Sequence, residues 1–334
     1  MNMSHTLKTT FVGAALTASS LFGTQALAAD ELRVALPAKM FLNLVEFVAE
    51  DRGFYEDQGL EVEMLHIADS SVPVRSLISG DVGLSQAGMS ETLIAAGKGA
   101  DVKTIGGVHA GLHYAFWTRD GAGIDSIADL PGKNVAISSP GSLPHVVTLA
   151  LLRKANVPQE EIDTINWVAV KGSSARRNAI LTGTVDATVA SYSPEAERSD
   201  DMNLLSIVGK ELPNYIMLSM DTTGTDIADR RDTLKKFITA ELLATRFILD
   251  NKEEALETAK DHFDYSEEDL GDFYQFYVDG EIWNPNGLID EEAVKYMQQL
   301  NVDAGMQDEV LPVEQVLDQS IVREVLEEIG HYEE

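Results

Sequence analysis

Cysteine is absent from this chain of 334 residues. That excludes disulfide staples, thiol catalysis and the cysteine by which an exported protein is tethered to lipid. Basic residues are scarce: 25 Lys and Arg stand against 55 Asp and Glu, a formal net charge of -30. Such a balance does not draw in nucleic acid or an anionic membrane face. No apolar run reaches the ~18 residues a spanning helix needs. Motifs are missing too. There is no G-x-x-x-x-G-K-[ST] phosphate loop, and His109 and His113, four apart, have Ala110 where a zinc protease carries its glutamate.

What is present begins at the N-terminus. Lys8, an apolar stretch at 11–22 and the small-residue run Ala26-Leu27-Ala28 ahead of Asp30 read as a secretory signal peptide over residues 1–28. Its removal leaves about 306 residues, enough for two lobes at ~100–200 residues each. The expected product is a soluble periplasmic protein that is not a lipoprotein.

Shifting the chain by 103 residues brings 32–88 onto 135–191 without a gap. Pro37 falls on Pro140, Ser70-Ser71 on Ser173-Ser174, Gly80 on Gly183, Val82 on Val185 and Ala87 on Ala190. Each unit reads strand, helix, strand, helix, strand, the first at 33–36, 43–52, 60–67, 72–78 and 82–85. Alternation of this kind predicts two similar α/β lobes, each a parallel sheet with helices on both faces. From about residue 226 the chain is helical in pattern, with Leu234, Phe237, Ile238, Leu242 and Leu249 near a 3.6 period and Asp290 as a helix cap. These helices are expected to pack on lobe one.

In parallel sheets ligands bind outside the carboxyl ends of the strands, so the site is expected between the lobes. Lobe one offers Met40, Asn43, Ser71, His109 and the run Gln86-Ala87-Gly88-Met89. Lobe two offers Gly141, Ser142, His145, Ser173, Ser174, Ser191 and Tyr192, and the C-terminal part adds Trp283. The ring is small, polar and poor in charge.

The stretch "SPGSLPH" at 139–145 tests a serine nucleophile against a ligand cradle. A nucleophile elbow needs tiny residues two before and two after the serine, and Ser142 has Pro140 and Pro144 there. Proline favours the first helical position, which would make Leu143 the N-cap, without a side-chain acceptor. The N–H groups of His145, Val146 and Val147 would then be open to an anion or carbonyl. The plainer alternative is a tight turn in which Ser139 or Ser142 caps the helix.

Four segments carry a resemblance: "AEDRGFYEDQGLEVE" (49–63), "SLISGDVGLSQAG" (76–88), "SIADLPGKNVAISSPGSLPHVVTLALLRKANV" (126–157) and "ILTGTVDATVASYSP" (180–194). In this order they resemble the periplasmic substrate-binding proteins of nitrate/sulfonate/taurine-type ABC importers, a family that includes binders of thiamine pyrimidine precursors. The resemblance implies a type II two-lobed fold: lobe one over 29–117, lobe two over 118–215, and a return to lobe one with C-terminal helices over 216–334. It implies a monomer without cofactor or catalytic residues, whose partners are a small solute and a membrane permease, with Gly141-Ser142 and 86–89 touching the solute. Leu143-Pro144 departs from the further serines of a sulfonate binder. A sulfonate or carboxylate is favoured, a pyrimidine-type heterocycle is the alternative, and an enzyme of the same fold comes third. The pyrimidine synthase of the superfamily uses a cysteine-rich motif and iron, and this chain has no cysteine.

Overall fold

The computed structural model describes residues 29–333 apart from 38, 68–71 and 110. The proposed signal segment 1–28 and Ser71 lie outside the described residues. Four strands come first: β1 (Asp30–Pro37), β2 (Leu60–Ile67), β3 (Leu84–Gly88) and β4 (Lys103–Gly106). Five follow: β5 (Tyr114–Arg119), β6 (Asn134–Ile137), β7 (Asn166–Ala169), β8 (Ala187–Ser191) and β9 (Met202–Ile207). β10 (Leu218–Thr222) is the last among the described residues.

They form two five-stranded sheets, ordered β2-β1-β3-β10-β4 and β7-β6-β8-β5-β9. β3 and β8 lie 103 residues apart at both ends, the offset read in the sequence. Each sheet is mixed, not purely parallel. β10 runs antiparallel to β3 and β4, and β5 runs antiparallel to β8 and β9. The reason is the double crossover: the chain reaches β5 from lobe one and β10 from lobe two, so each enters its sheet from the opposite end. A boundary at 117 would cut β5, whose pairing with β8 already starts at Tyr114↔Ser191. The first crossover is therefore 107–113.

Helix Arg231–Asp250 lies on helix Leu44–Asp51 in lobe one and buries Leu234, Phe237, Ile238 and Leu242. Ile248, not Leu249, completes its buried face. The C-terminal helices pack on lobe one, and two of them also reach lobe two. Helix Glu291–Asp303, capped by Asp290 through Glu292 N, touches both helix Met89–Gly97 and helix Leu143–Lys154. Helix Glu267–Asp279 touches helix Pro194–Glu197, and Arg198 beside it binds Asp272 at 2.7 Å and also Asp269. Arg153 adds a third tie, from Nη2 to the Asp303 carbonyl at 2.7 Å. No helix among the described residues is long and apolar enough to cross a membrane.

Candidate functional site

After β6 the chain turns through Ser139 to Ser142, and the turn satisfies itself. Ser142 Oγ donates to Ser139 O at 2.7 Å and accepts from Ser139 N at 3.2 Å, while Gly141 N donates to His145 Nδ1 at 3.0 Å. Ser142, in extended geometry, is the N-cap; Leu143 is the first helical residue and Pro144 the second. The expectation for Leu143 is thus corrected. His145 N and Val146 N both donate to Ser142 O, at 2.8 and 2.9 Å, so these are not free donors. Proline suits either of the first two helical positions, and closure of the serine turn selects the second. Gly141, at φ 79°, is covered: a Cβ there would sit 2.2 Å from Met306 Cε. Burial, and then Arg153, lowers the His145 pKa from its ordinary value, and the ring meets Trp167 edge-on at 4.8 Å.

The positive charge of this wall comes from residues the sequence reading passed over. Arg176 and Arg177 stand in helix Ser173–Leu181, which follows β7. Arg176 is 1% exposed and donates to the carbonyls of Val189 and Val170 and to the hydroxyls of Ser138 and Ser173. Arg177 donates to the Ser191 carbonyl at 2.9 Å and reaches Ser174 Oγ at 3.5 Å. Ser173, Ser174 and Ser191, read as ligand contacts, are therefore the groups that hold two guanidinium ions. Ser173 Oγ also accepts from Ser191 N and Oγ, at 3.2 and 3.0 Å. Among the described residues no carboxylate pairs with either arginine. Burial lowers both pKa values, opposed by Tyr114 at Arg176 and by Tyr265 at Arg177. Arginine stays charged regardless. The signal was available: "SSARR" at the end of a predicted strand, in a chain with few bases.

Lobe one answers with acid. Asn43 follows β1; its Oδ1 accepts from Met40 N at 3.1 Å, while its Nδ2, fully buried, has no partner. One turn on, Glu46 Oε1 lies 3.3 Å from His109 Nε2. Glu46 Oε2 and His109 Nδ1 have none, and both residues are 1% exposed. Gln86 Nε2 donates to Glu241 Oε2 at 3.0 Å, and Tyr55 OH to Glu241 Oε1. Burial, and then Glu46, holds Glu241 well above the usual carboxylate range. Ala87 and Gly88 pair with Ser219 and Leu218 of β10, and the buried Met89 donates its N–H to Met217 O at 3.2 Å. Met40 is half-buried against the main hydrophobic core, which runs through both lobes.

Aromatic rings join the two walls. The backbones of His109 and Trp283 bridge, and the Trp283 ring lies 5.1 Å from Tyr277 and 6.2 Å from Phe41, with its Nε1 unpartnered. Tyr277 stacks on His113 at 5.7 Å, and His113 meets Tyr114 edge-on at 5.0 Å. Neither nitrogen of His113 has a partner, and burial followed by His109 brings its pKa down to about 3. The order Glu46, His109, Trp283, Tyr277, His113, Tyr114, Arg176 thus runs from lobe one to lobe two. Buried polar atoms without partners are few in native proteins, and a cluster of them calls for a ligand or water. Tyr192 stands to one side, stacked on Phe276 at 4.0 Å with its hydroxyl on Glu197. It lines a cavity of about 510 Å³ with Leu112, Ile207, Pro213 and Ile282, beside both crossovers.

Comparison with known proteins bears on fold and family. The family model described as NMT1/THI5 like matches residues 44–255. A Haemophilus influenzae protein provisionally named for thiamine biosynthesis is 22% identical over 220 residues, 62% of this chain and 65% of that one. The Bacillus subtilis protein YtlA, provisionally named a binding protein, is 22% identical over 297 residues, 84% and 86% of the two chains. The formylaminopyrimidine-binding protein of Halalkalibacterium halodurans is 21% identical over 217 residues, 63% of each. The matched stretch thus spans less than two thirds of the first and third of these relatives. Among solved structures, the periplasmic aliphatic sulphonate binding protein of Escherichia coli superposes with a TM-score of 0.70 at 16% identity, over 87% of this chain and 92% of that one. The periplasmic nitrate-binding protein of Synechocystis gives 0.72 at 13% identity, over 90% and 89%. The fold is that of the periplasmic binding proteins.

Proposed function

We propose, from the premise that this chain belongs to the NMT1/THI5-like family, that it is the solute-binding component of an ABC importer. It captures a small organic anion with a flat body between its lobes and delivers it to a membrane permease. It works as an exported periplasmic monomer from which residues 1–28 have been removed. Carriage without catalysis is supported by the likeness to periplasmic binding proteins among the solved structures.

The observation that carries this is the guanidinium pair at the carboxyl ends of β6, β7 and β8: the buried Arg176 is held by neutral oxygens, and the half-buried Arg177 has no carboxylate at bonding distance, Glu195 acting on it only from farther off. A buried cation without a counter-ion is costly, and an anion that arrives there relieves the cost. Two charge-assisted hydrogen bonds at ~1.5–3 kcal/mol each, with apolar contact, approach the ~8 kcal/mol of micromolar binding. The net charge of -30 does not oppose this, because exposed charges act over only ~10 Å at 0.1 M salt. A carboxylate or sulfonate is the favoured anionic group. The second reading, a pyrimidine-type heterocycle, is favoured by Asn43 Nδ2 and Glu46 Oε2, unpartnered atoms suited to the edge of a ring.

Calorimetric titration with benzoate, benzenesulfonate and neutral benzamide tests the anion. The acids should bind and the amide should not, and Arg177→Gln should weaken the acids by about tenfold or more, ~1.4 kcal/mol. Equal binding of benzamide and benzoate would refute the anionic reading.

A further inference from the structure

The two walls of the cleft are opposite in sign, and only one of them has been given a partner. Three acidic residues are buried whole among the described residues, Glu46, Asp221 and Glu241, while Glu91, whose carboxylate oxygens are also shut from solvent, makes an interaction of its own. Asp221 accepts from the hydroxyls of Thr92, Thr104 and Ser219. Glu241 accepts from Tyr55 and Gln86. Glu46 has His109 alone, at 3.3 Å, and its Oε2 has no donor. Glu46 stands in the first turn of helix Leu44–Asp51, three residues after Asn43, and its partner His109 bridges Trp283 through its backbone. The ring sequence from Trp283 to Tyr114 leads from it to Arg176.

We infer that the solute is dipolar: opposite its anionic group it carries an amine or protonated nitrogen, which donates to Glu46 Oε2. This rests on the anion-binding reading above and narrows it. A carboxylate oxygen shut away from water needs a donor, and a charged donor is the strongest available. Cation and anion in one molecule also match the sign of each wall as the lobes close, whereas a plain anion would leave Glu46 unanswered. His109 holds the Glu46 carboxylate through Oε1 and so leaves Oε2 to face the solute. The aromatic rings between the two walls suit a flat spacer between the charged ends.

The test is titration of the purified full chain with matched benzoates: para-(aminomethyl)benzoate, para-(hydroxymethyl)benzoate and para-ethylbenzoate, against wild type and Glu46→Gln. The amine should bind wild type about tenfold more tightly than its ethyl isostere, and Glu46→Gln should bring the pair within about twofold. Equal affinity of the amine and ethyl compounds for wild type overturns the inference and leaves the anion reading standing. So does a hydroxymethyl compound that matches the amine, or a preference that persists in Glu46→Gln. Failure of all three to bind, together with benzoate and benzenesulfonate, overturns both readings. The wild-type comparison needs no variant, so a Glu46→Gln protein that does not fold leaves the inference falsifiable.

Discussion

His113 and Asp221 are both buried, and they pull the stability of the protein in opposite directions as pH changes. His113 has a pKa of about 3 in the folded chain against an ordinary 6.5, so below 6.5 the unfolded chain takes up a proton that the folded chain refuses. Stability from this group is lost as pH falls from 6.5 towards 3. Burial pushes Asp221 up to about 7 from 3.8, so the folded chain keeps a proton that the unfolded chain releases. Stability from that group is lost as pH rises from 3.8 to 7. Between these limits the two slopes offset each other. Single variants should separate them in urea midpoints taken from pH 4 to 7.5. The advantage of Asp221→Asn over wild type should grow as pH rises, and that of His113→Phe should grow as pH falls. A difference that stays flat with pH for either variant would remove the corresponding group from the account.

Single residues were also where the sequence was hardest to read. Asn43, His109 and Trp283 are candidates in the sequence, and the backbones of the last two bridge. Arg176, Arg177, Glu46 and Tyr277 are not candidates there, because a charge or an aromatic ring on a helix is ordinarily solvated surface or core. Only the third dimension sets Glu46 on the buried side of its helix, three residues after Asn43. Ser142, a candidate for the solute, has its hydroxyl closing a turn with Ser139.

At the scale of elements, legibility followed exposure. β2 was read at both ends, since one of its faces is partly solvated and its pattern alternates. β3 was read two residues early at its start and three early at its end; every one of its residues is buried, so no alternation marks it. The direction of β5 and β10 leaves no mark in composition, and neither does the reach of the C-terminal helices into lobe two. That reach has a consequence. Arg198 between Asp269 and Asp272 ties the lobes at an exposed place, where ion pairs add little to stability and are screened by salt. Arg198→Ala should therefore leave the melting temperature almost unchanged while shifting the population towards open lobes. Benzoate affinity should fall by about two- to threefold at low salt, and the gap from wild type should close at high salt. A gap that is unaffected by salt would assign the effect to something other than this tie.

For the whole molecule, the two lobes and the pattern they share are legible in the 103-residue offset. That offset survives because it records the spacing of strands, which packing constrains more tightly than residue identity. What pattern could not give is how the lobes depend on each other. Lobe two takes all five of its strands from one continuous stretch, 114–207, whereas lobe one must wait for β10 at 218–222 to fill the place between β3 and β4. During synthesis, and again as the chain emerges head first from any membrane pore, the part that appears first is thus the part that cannot finish. The second lobe should fold before the first, which stays open at its middle until the returning strand threads in. Isolated residues 108–213 should show cooperative urea unfolding, and residues 29–107 should not; a cooperative 29–107 fragment would reverse that order. Until β10 arrives, β3 and β4 offer two bare strand edges, so the moment of greatest risk for this protein falls late in its birth, when lobe two is complete and lobe one is still a half-closed sheet.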